Sequence, residues 1–278
     1  MKKHTTYITF ALLFIYAIFI NMPLSATAAT QNTDQIKMQK VQTMLNKKYK
    51  SQNYGIYIQW ADSDKYSANI NGSTTYVAAS TGKLPAIYYT QKLLNEKKIN
   101  LKTNWKYVSG VNSFKGAYSP WGAGVMPKSA NNKNYSVQSV LQNTIKYSDN
   151  VGANMLGYYA TSRFNKPFIN EINRITGRKW TQFQLRASAK DNAKLMKAIY
   201  KIGGVANTYL QSTVYDKQRI PKYLPVKVGH KIGDVDHYRH DVAIVYAKKP
   251  YIISIMTKNW TTYEQISKIS KDVYDILK

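Results

Sequence analysis

The 278-residue chain contains no cysteine. That absence excludes a disulfide framework, a thiolate metal site and lipid attachment through an N-terminal cysteine. In an oxidising medium the chain must be held by packing alone. Acidic residues are scarce: 14 Asp and Glu stand against 40 Lys and Arg, a formal charge of +26. Arginine is scarce as well, at six residues. A lysine-dominated surface is drawn to polyanions by long-range attraction, but it lacks the guanidinium forks that read phosphate bidentately. The composition therefore predicts diffuse electrostatic association with anionic polymers and argues against specific nucleic-acid binding. Histidine is limited to four residues, and His230, His237 and His240 lack the spacing of a zinc motif. No metal and no organic cofactor are expected.

Long hydrophobic runs are also missing. The apolar stretch from Ile8 to Ile20 is 13 residues long, short of the roughly 20 that a membrane-spanning helix needs. It follows Lys2 and Lys3 and precedes the small residues Ser25, Ala26, Thr27, Ala28 and Ala29. This order reads as a secretory signal peptide over residues 1–28, cut after Ala28, with retention as an N-terminal anchor as the alternative. The expected location is extracytoplasmic, secreted or cell-wall-associated, with no permanent membrane span. Acidic wall polymers, anionic lipid and extracellular DNA are the polyanions available there. Residues 29–278 suffice for one large domain.

No internal repeat or low-complexity tract interrupts the mature chain. Residues 31–53 read as a lysine-rich surface helix. Tyr54–Trp60 alternates as a strand should, Lys65–Ile70 reads as a second strand, and Asn71-Gly72 is a hairpin signal. Residues 75–80 lead into a helix through Leu94, with Pro85 early in it. Residues 102–133 form a long irregular stretch, of the length usually kept for function. Helices are predicted at Val137–Ile145, Asn150–Tyr159, Phe168–Ile175 and Ala189–Ile202, ended at Gly177 and Gly203 where those glycines follow. Residues 178–188 read as a polar loop. Strands are predicted at 226–233, 240–246 and 251–257, and a closing helix at Tyr263–Leu277. Strands at both ends around a helical middle predict an α/β (α+β) architecture: one antiparallel sheet formed by both ends of the chain, flanked by helices, with an all-helical lobe at roughly residues 95–205 inserted in it.

Three short signals carry chemistry. In Ser80-Thr81-Gly82-Lys83, positions three apart share a helix face. A serine hydroxyl is a weak nucleophile until a base removes its proton, and a neutral lysine amine can do so once burial or neighbouring positive charge lowers its pKa. Ser148-Asp149-Asn150 places a hydroxyl, a carboxylate and an amide before a helix, where a plain helix cap is the competing explanation. His230-Lys231-Ile232-Gly233 ends a strand, putting a cation beside a residue that allows close backbone approach.

In this order and separation the three signals resemble the serine β-lactamase and penicillin-binding D,D-peptidase superfamily, above all its class A β-lactamase branch, with its S-x-x-K, S-D-N and K-[ST]-G motifs. The likeness runs from about Tyr54 to the C-terminus. It implies a β-lactamase/transpeptidase-like fold and an acyl-enzyme on Ser80, with Lys83 as activator. It further implies Ser148 as proton relay, Lys231 as assistant and binder of a substrate carboxylate, Asn150 as support for the first lysine, and the backbone N–H groups of Ser80 and Asp234 as oxyanion hole. The substrate would be peptidoglycan-related or β-lactam-like.

Two departures stand out. Class A enzymes carry a deacylating glutamate in an E-x-x-L-N sequence, and residues 177–188 contain no carboxylate. Glu171 and Asp191 flank the stretch but read as helix residues, while Gln182 and Gln184 cannot take a proton from water. Ile232 stands where a Ser or Thr would bond the substrate carboxylate. The sequence therefore favours a serine acyl hydrolase acting on a cell-wall-related amide or ester. The rival readings are a β-lactamase with an unusual deacylation route and a non-catalytic wall-binding or sensor domain.

Overall fold

The computed structural model describes residues 24–179 and 186–278, with side chains from residue 33 onward. Most of the signal peptide expected over residues 1–28 lies outside the described residues, as do Gln182 and Gln184. Among the described residues no helix is long and apolar enough to cross a membrane.

The centre of the molecule is a five-stranded antiparallel sheet. In chain order its strands are β1 (Tyr54–Trp60), β2 (Ser67–Ile70), β7 (Val228–Val235), β8 (Tyr238–Val245) and β9 (Tyr251–Thr257), and in space they run β2-β1-β9-β8-β7. Three-residue strands make two further pairs: β3 (Thr75–Val77) with β6 (Arg186–Ser188), and β4 (Asn104–Lys106) with β5 (Asn134–Ser136). Both ends of the chain meet in the main sheet, where Ile56 lies opposite Ile255 and Ile58 opposite Ile253. Alternation along each strand divides the core. Ala243, Val245, Ile253 and Ile255 pack with Val41 and Leu45 of α1 (Leu24–Lys48) and with Ile266, Ile269 and Val273 of α8 (Tyr263–Leu277). Val242, Ile244 and Ile252 face the other way, into a cluster with Leu195, Met196 and Ile199 of α6 (Ala189–Ile202). That cluster continues through α2 (Leu84–Asn95), α3 (Val137–Lys146), α4 (Asn150–Met155), α5 (Lys166–Thr176) and α7 (Val205–Leu210).

The expected antiparallel sheet with flanking helices is present, and several local readings are corrected. Asn71-Gly72 turns the chain, with Thr74 N–H donating to Asn71 O at 2.9 Å, but joins no hairpin, because β3 pairs with β6 rather than with β2. The irregular stretch 102–133 opens with β4, which the sequence hides because three residues are too few to alternate. The helix expected at Asn150–Tyr159 is α through Met155 and then widens into a π turn over Leu156–Ala160. Ser80 and Lys83 sit in a 3₁₀ turn, Ala79–Lys83, that precedes α2. With three residues per turn, positions i and i+3 of such a turn eclipse, so the two side chains stack more directly than on an α-helix.

Candidate active site

The 3₁₀ turn, the start of α4 and strand β7 converge. Lys83, Ser148 and Lys231 are buried, and Ser80 is half-exposed. Lys83 Nζ lies 3.0 Å from Ser80 Oγ, 2.6 Å from the Ser148 carbonyl oxygen and 2.6 Å from Asn150 Oδ1. Lys231 Nζ donates to Ser148 Oγ at 2.8 Å and to its neighbour's carbonyl, Ile232 O, at 3.0 Å. One hydrogen-bonded chain thus joins residues 80, 83, 148, 150 and 231. The ring of Tyr118 lies 4.8 Å from Lys83 Nζ and closes the amine off on one side.

Burial pushes the pKa of Lys83 well below the ordinary lysine value; the nearby charges of Lys231 and Lys128 push the same way against the opposing pull of Asp149. Burial, and then the positive charge of Arg219, lower Lys231 to about 7. Two ammonium groups around one serine in a dry site repel each other, so at least one of them gives up its proton near neutrality.

The backbone holding these groups is strained at two non-glycine positions. Ala79, immediately before the serine, has φ 47°, and Ser148 has φ 54°. Such left-handed residues cost on the order of 1–2 kcal/mol each, and surrounding contacts hold them in place. Asp149 supplies many of these contacts. It is fully buried and its carboxylate accepts N–H bonds from Val125 (2.5 Å), Met126 (2.7 Å) and Gly152 (2.9 Å). Asn150 adds an Nδ2 bond to Ser119 O at 2.8 Å. The S-D-N segment is therefore a helix cap as well as part of the site, with Asp149 tying the loop 113–128 to α4. Gly233 packs against the 3₁₀ turn so closely that a Cβ would come within 3.0 Å of Thr81 Cγ2 and 3.1 Å of the Ala78 carbonyl oxygen. Any side chain there would drive β7 away from the serine.

Ile232 is buried and contributes no hydroxyl. The exposed side chain of Asp234 takes no part in the serine–lysine chain and pairs instead with Arg219. The two acids near the missing glutamate are held elsewhere. Glu171 accepts from Tyr88 at 2.7 Å and from Arg174 at 2.8 Å, while Asp191 closes the capping box of α6 with Ser188. Tyr118 and Arg219 escaped the sequence reading, since neither belongs to a motif and both arrive through folding from distant segments.

The sequence profile of the Beta-lactamase enzyme family matches residues 37–277. The chain belongs to this family. Its fold is that of the serine β-lactamases and penicillin-binding proteins, whose members are serine hydrolases. Solved structures agree on the fold. PBP-A superposes with a TM-score of 0.68 at 20% identity, over 87% of this chain and 96% of its own. The TLA-1 extended-spectrum β-lactamase gives 0.67 at 20% identity, over 87% and 99%. A β-lactamase from Sphaerobacter thermophilus gives 0.66 at 16% identity, over 87% and 97%. No curated relative matches the chain at a significant level.

Proposed function

We propose that the protein is an extracytoplasmic serine acyl hydrolase that acts on a cell-wall-related amide or ester through an acyl-enzyme on Ser80. The observation that carries this reading is the bonding of Lys83. A neutral amine has two N–H donors and one lone pair. The Ser148 carbonyl and Asn150 Oδ1, each at 2.6 Å, take the two donors, which leaves the lone pair for the Ser80 hydroxyl at 3.0 Å. As Ser80 Oγ forms its bond to the acyl carbon, its proton passes to Lys83. The carbonyl oxygen becomes an oxyanion facing the N–H groups of Ser80 and Asp234. When the bond to the leaving nitrogen or oxygen breaks, Ser148 gives that atom its hydroxyl proton and regains one through Lys231, which is positioned 2.8 Å away. Water then releases the acyl group. With no acid hydrogen-bonded to Ser80 or Lys83 among the described residues, that second step is the slow one.

The test is intact mass followed over time with two probes, benzylpenicillin and an uncharged fluorophosphonate, on the wild type and Ser80→Ala. A persistent adduct in the wild type alone is the expected result. Rapid release of hydrolysed penicillin would establish a β-lactamase instead, and no adduct with either probe would sink the acyl-enzyme reading in favour of a non-catalytic domain.

The basic surface supports a second element of the proposal, retention on anionic wall polymers. A broad groove is lined by Arg174, Lys190, Lys194, Lys197 and Lys201, with Asp64 as its acidic member. Binding to isolated cell walls is expected to fall steeply as salt rises from about 0.05 M to about 0.5 M, because the screening length shrinks several-fold over that range. Retention that ignores salt would remove the electrostatic account.

A further inference from the structure

The residue after Gly233 offers its backbone to the site, yet its side chain has an arrangement of its own. Arg219 is 1% exposed and held at a left-handed φ of 57°. One arm of its guanidinium, Nη2, is ion-paired with Asp234 Oδ2. The Tyr263 hydroxyl donates to the same oxygen at 3.0 Å, and the guanidinium stacks 4.0 Å from the centroid of that tyrosine ring. Arg239 Nε stands 3.8 Å from the other oxygen, Asp234 Oδ1, and its Nη1 is committed to the carbonyl oxygens of Asp236 and Tyr238. Arg219 Nε and Nη1 are buried without a hydrogen-bond partner among the described residues. A buried guanidinium with open donors, held just before the 3₁₀ turn Ile220–Tyr223 and against the end of β7 that follows Lys231 and Gly233, has the chemistry of a carboxylate receptor. In this chain the receptor already holds a carboxylate, supplied by the protein itself and lying at the surface, between the arginine and solvent.

A substrate carboxylate arriving at this point would have to displace Asp234 from Arg219 or accept its like-charge repulsion. The change at position 232 acts in the same direction, because the isoleucine removes a hydroxyl that would otherwise favour such a group. We propose that Asp234 is a specificity-determining residue: its carboxylate fills the Arg219 subsite, so the enzyme selects acyl donors that carry no anionic group beside the scissile bond, uncharged esters and amides, over carboxylate-bearing donors. This rests on the acyl-enzyme reading above and deepens it by naming the substrate class.

The test compares benzylpenicillin with its methyl ester, two ligands that differ only in the carboxylate. On the wild type the ester is expected to acylate Ser80 at least tenfold faster than the acid. In Asp234→Asn, with Asp234→Ser as the second variant should the first fold poorly, the preference is expected to swing toward the acid by at least tenfold. Faster acylation of the wild type by the acid, or an acid-to-ester ratio unmoved in the folded variant, would overturn the proposal. If neither compound leaves an adduct, calorimetric binding of the same pair to the wild type and the variant decides the matter by the same ratios. Labelling of Ser80 by the fluorophosphonate separately reports whether the acyl-enzyme reading itself stands, so the two failures are distinguishable.

Discussion

Replacing Lys83 by alanine is expected to slow acylation of Ser80 by about 10²–10⁴-fold, the range that a positioned general base contributes, while leaving the fold intact enough to bind ligand. The amine is the only base placed at 3.0 Å from the hydroxyl among the described residues. The pH dependence carries the sharper prediction. A protonated Lys83 cannot accept the serine proton, so the rate falls as pH drops through the pKa of the folded protein. Burial and the adjacent charge of Lys231 set that value well below the ordinary lysine range, so the acid limb is expected at a pH well below that range. Lys231→Gln removes the like charge and is expected to move the acid limb toward higher pH. Acylation rates with the fluorophosphonate between about pH 5 and about pH 11.5 would show both effects, a span that includes the unperturbed value near 10.4. An acid limb close to that unperturbed value in the wild type would overturn the lowered pKa of Lys83, and a Lys83→Ala rate within threefold of wild type would rule out the lysine as base.

Asp149→Ala is expected to be among the most destabilising single changes outside the apolar core. Deleting the carboxylate leaves the N–H groups of Val125, Met126 and Gly152 without their acceptor. Each orphaned buried group costs about 1–3 kcal/mol, and partial relaxation brings the total to about 3–5 kcal/mol. Gly124 admits the carboxylate only because it has no side chain: it sits at φ 118°, and a Cβ there would collide with Asp149. The same loss releases the strained Ser148 and the support that Asn150 gives Lys83, so acylation should fall alongside stability. Urea unfolding monitored by tryptophan fluorescence would measure it. A change below about 1 kcal/mol, the size of an ordinary single hydrogen bond, would mean that Asp149 is not the fastening it appears from its bonds.

Local chemistry decided which parts were legible beforehand. Helix α6 was read at Ala189–Ile202 with Gly203 as its stop, and the structure matches those bounds, adding a capping box of Ser188 and Asp191 at its start. Helix α8 begins in the same way, on Thr262 and Gln265. Strands β1 and β9 were legible from their composition. What stayed hidden depends on contacts between remote segments. The pairing of Val77 with Arg186 joins residues more than a hundred positions apart, and nothing in either triplet announces the other. The serine–lysine pair could be read from its spacing, although the turn that carries it is tighter than the α-helix inferred. Support of Lys83 by Asn150 was implied through the family likeness, whereas its bond to the Ser148 carbonyl emerges only from the fold. Arg219 was out of reach, because an arginine between Gln218 and Ile220-Pro221 looks like any exposed loop cation, and only the fold encloses it.

The order of strands in the central sheet also has a consequence for how the molecule is made. Strand β1 has β2 on one side and β9 on the other, and β9 ends at Thr257. Ser80 therefore stands early in the chain, whereas Lys231 and the strands β7 and β8 that pack on its turn come much later. Without those late residues β1 has an open edge, and the 3₁₀ turn carrying Ser80 lacks β7 and β8 against it. A fragment ending before β7 therefore lacks both Lys231 and the strand that packs on the Ser80 turn, and is expected to give no acyl adduct.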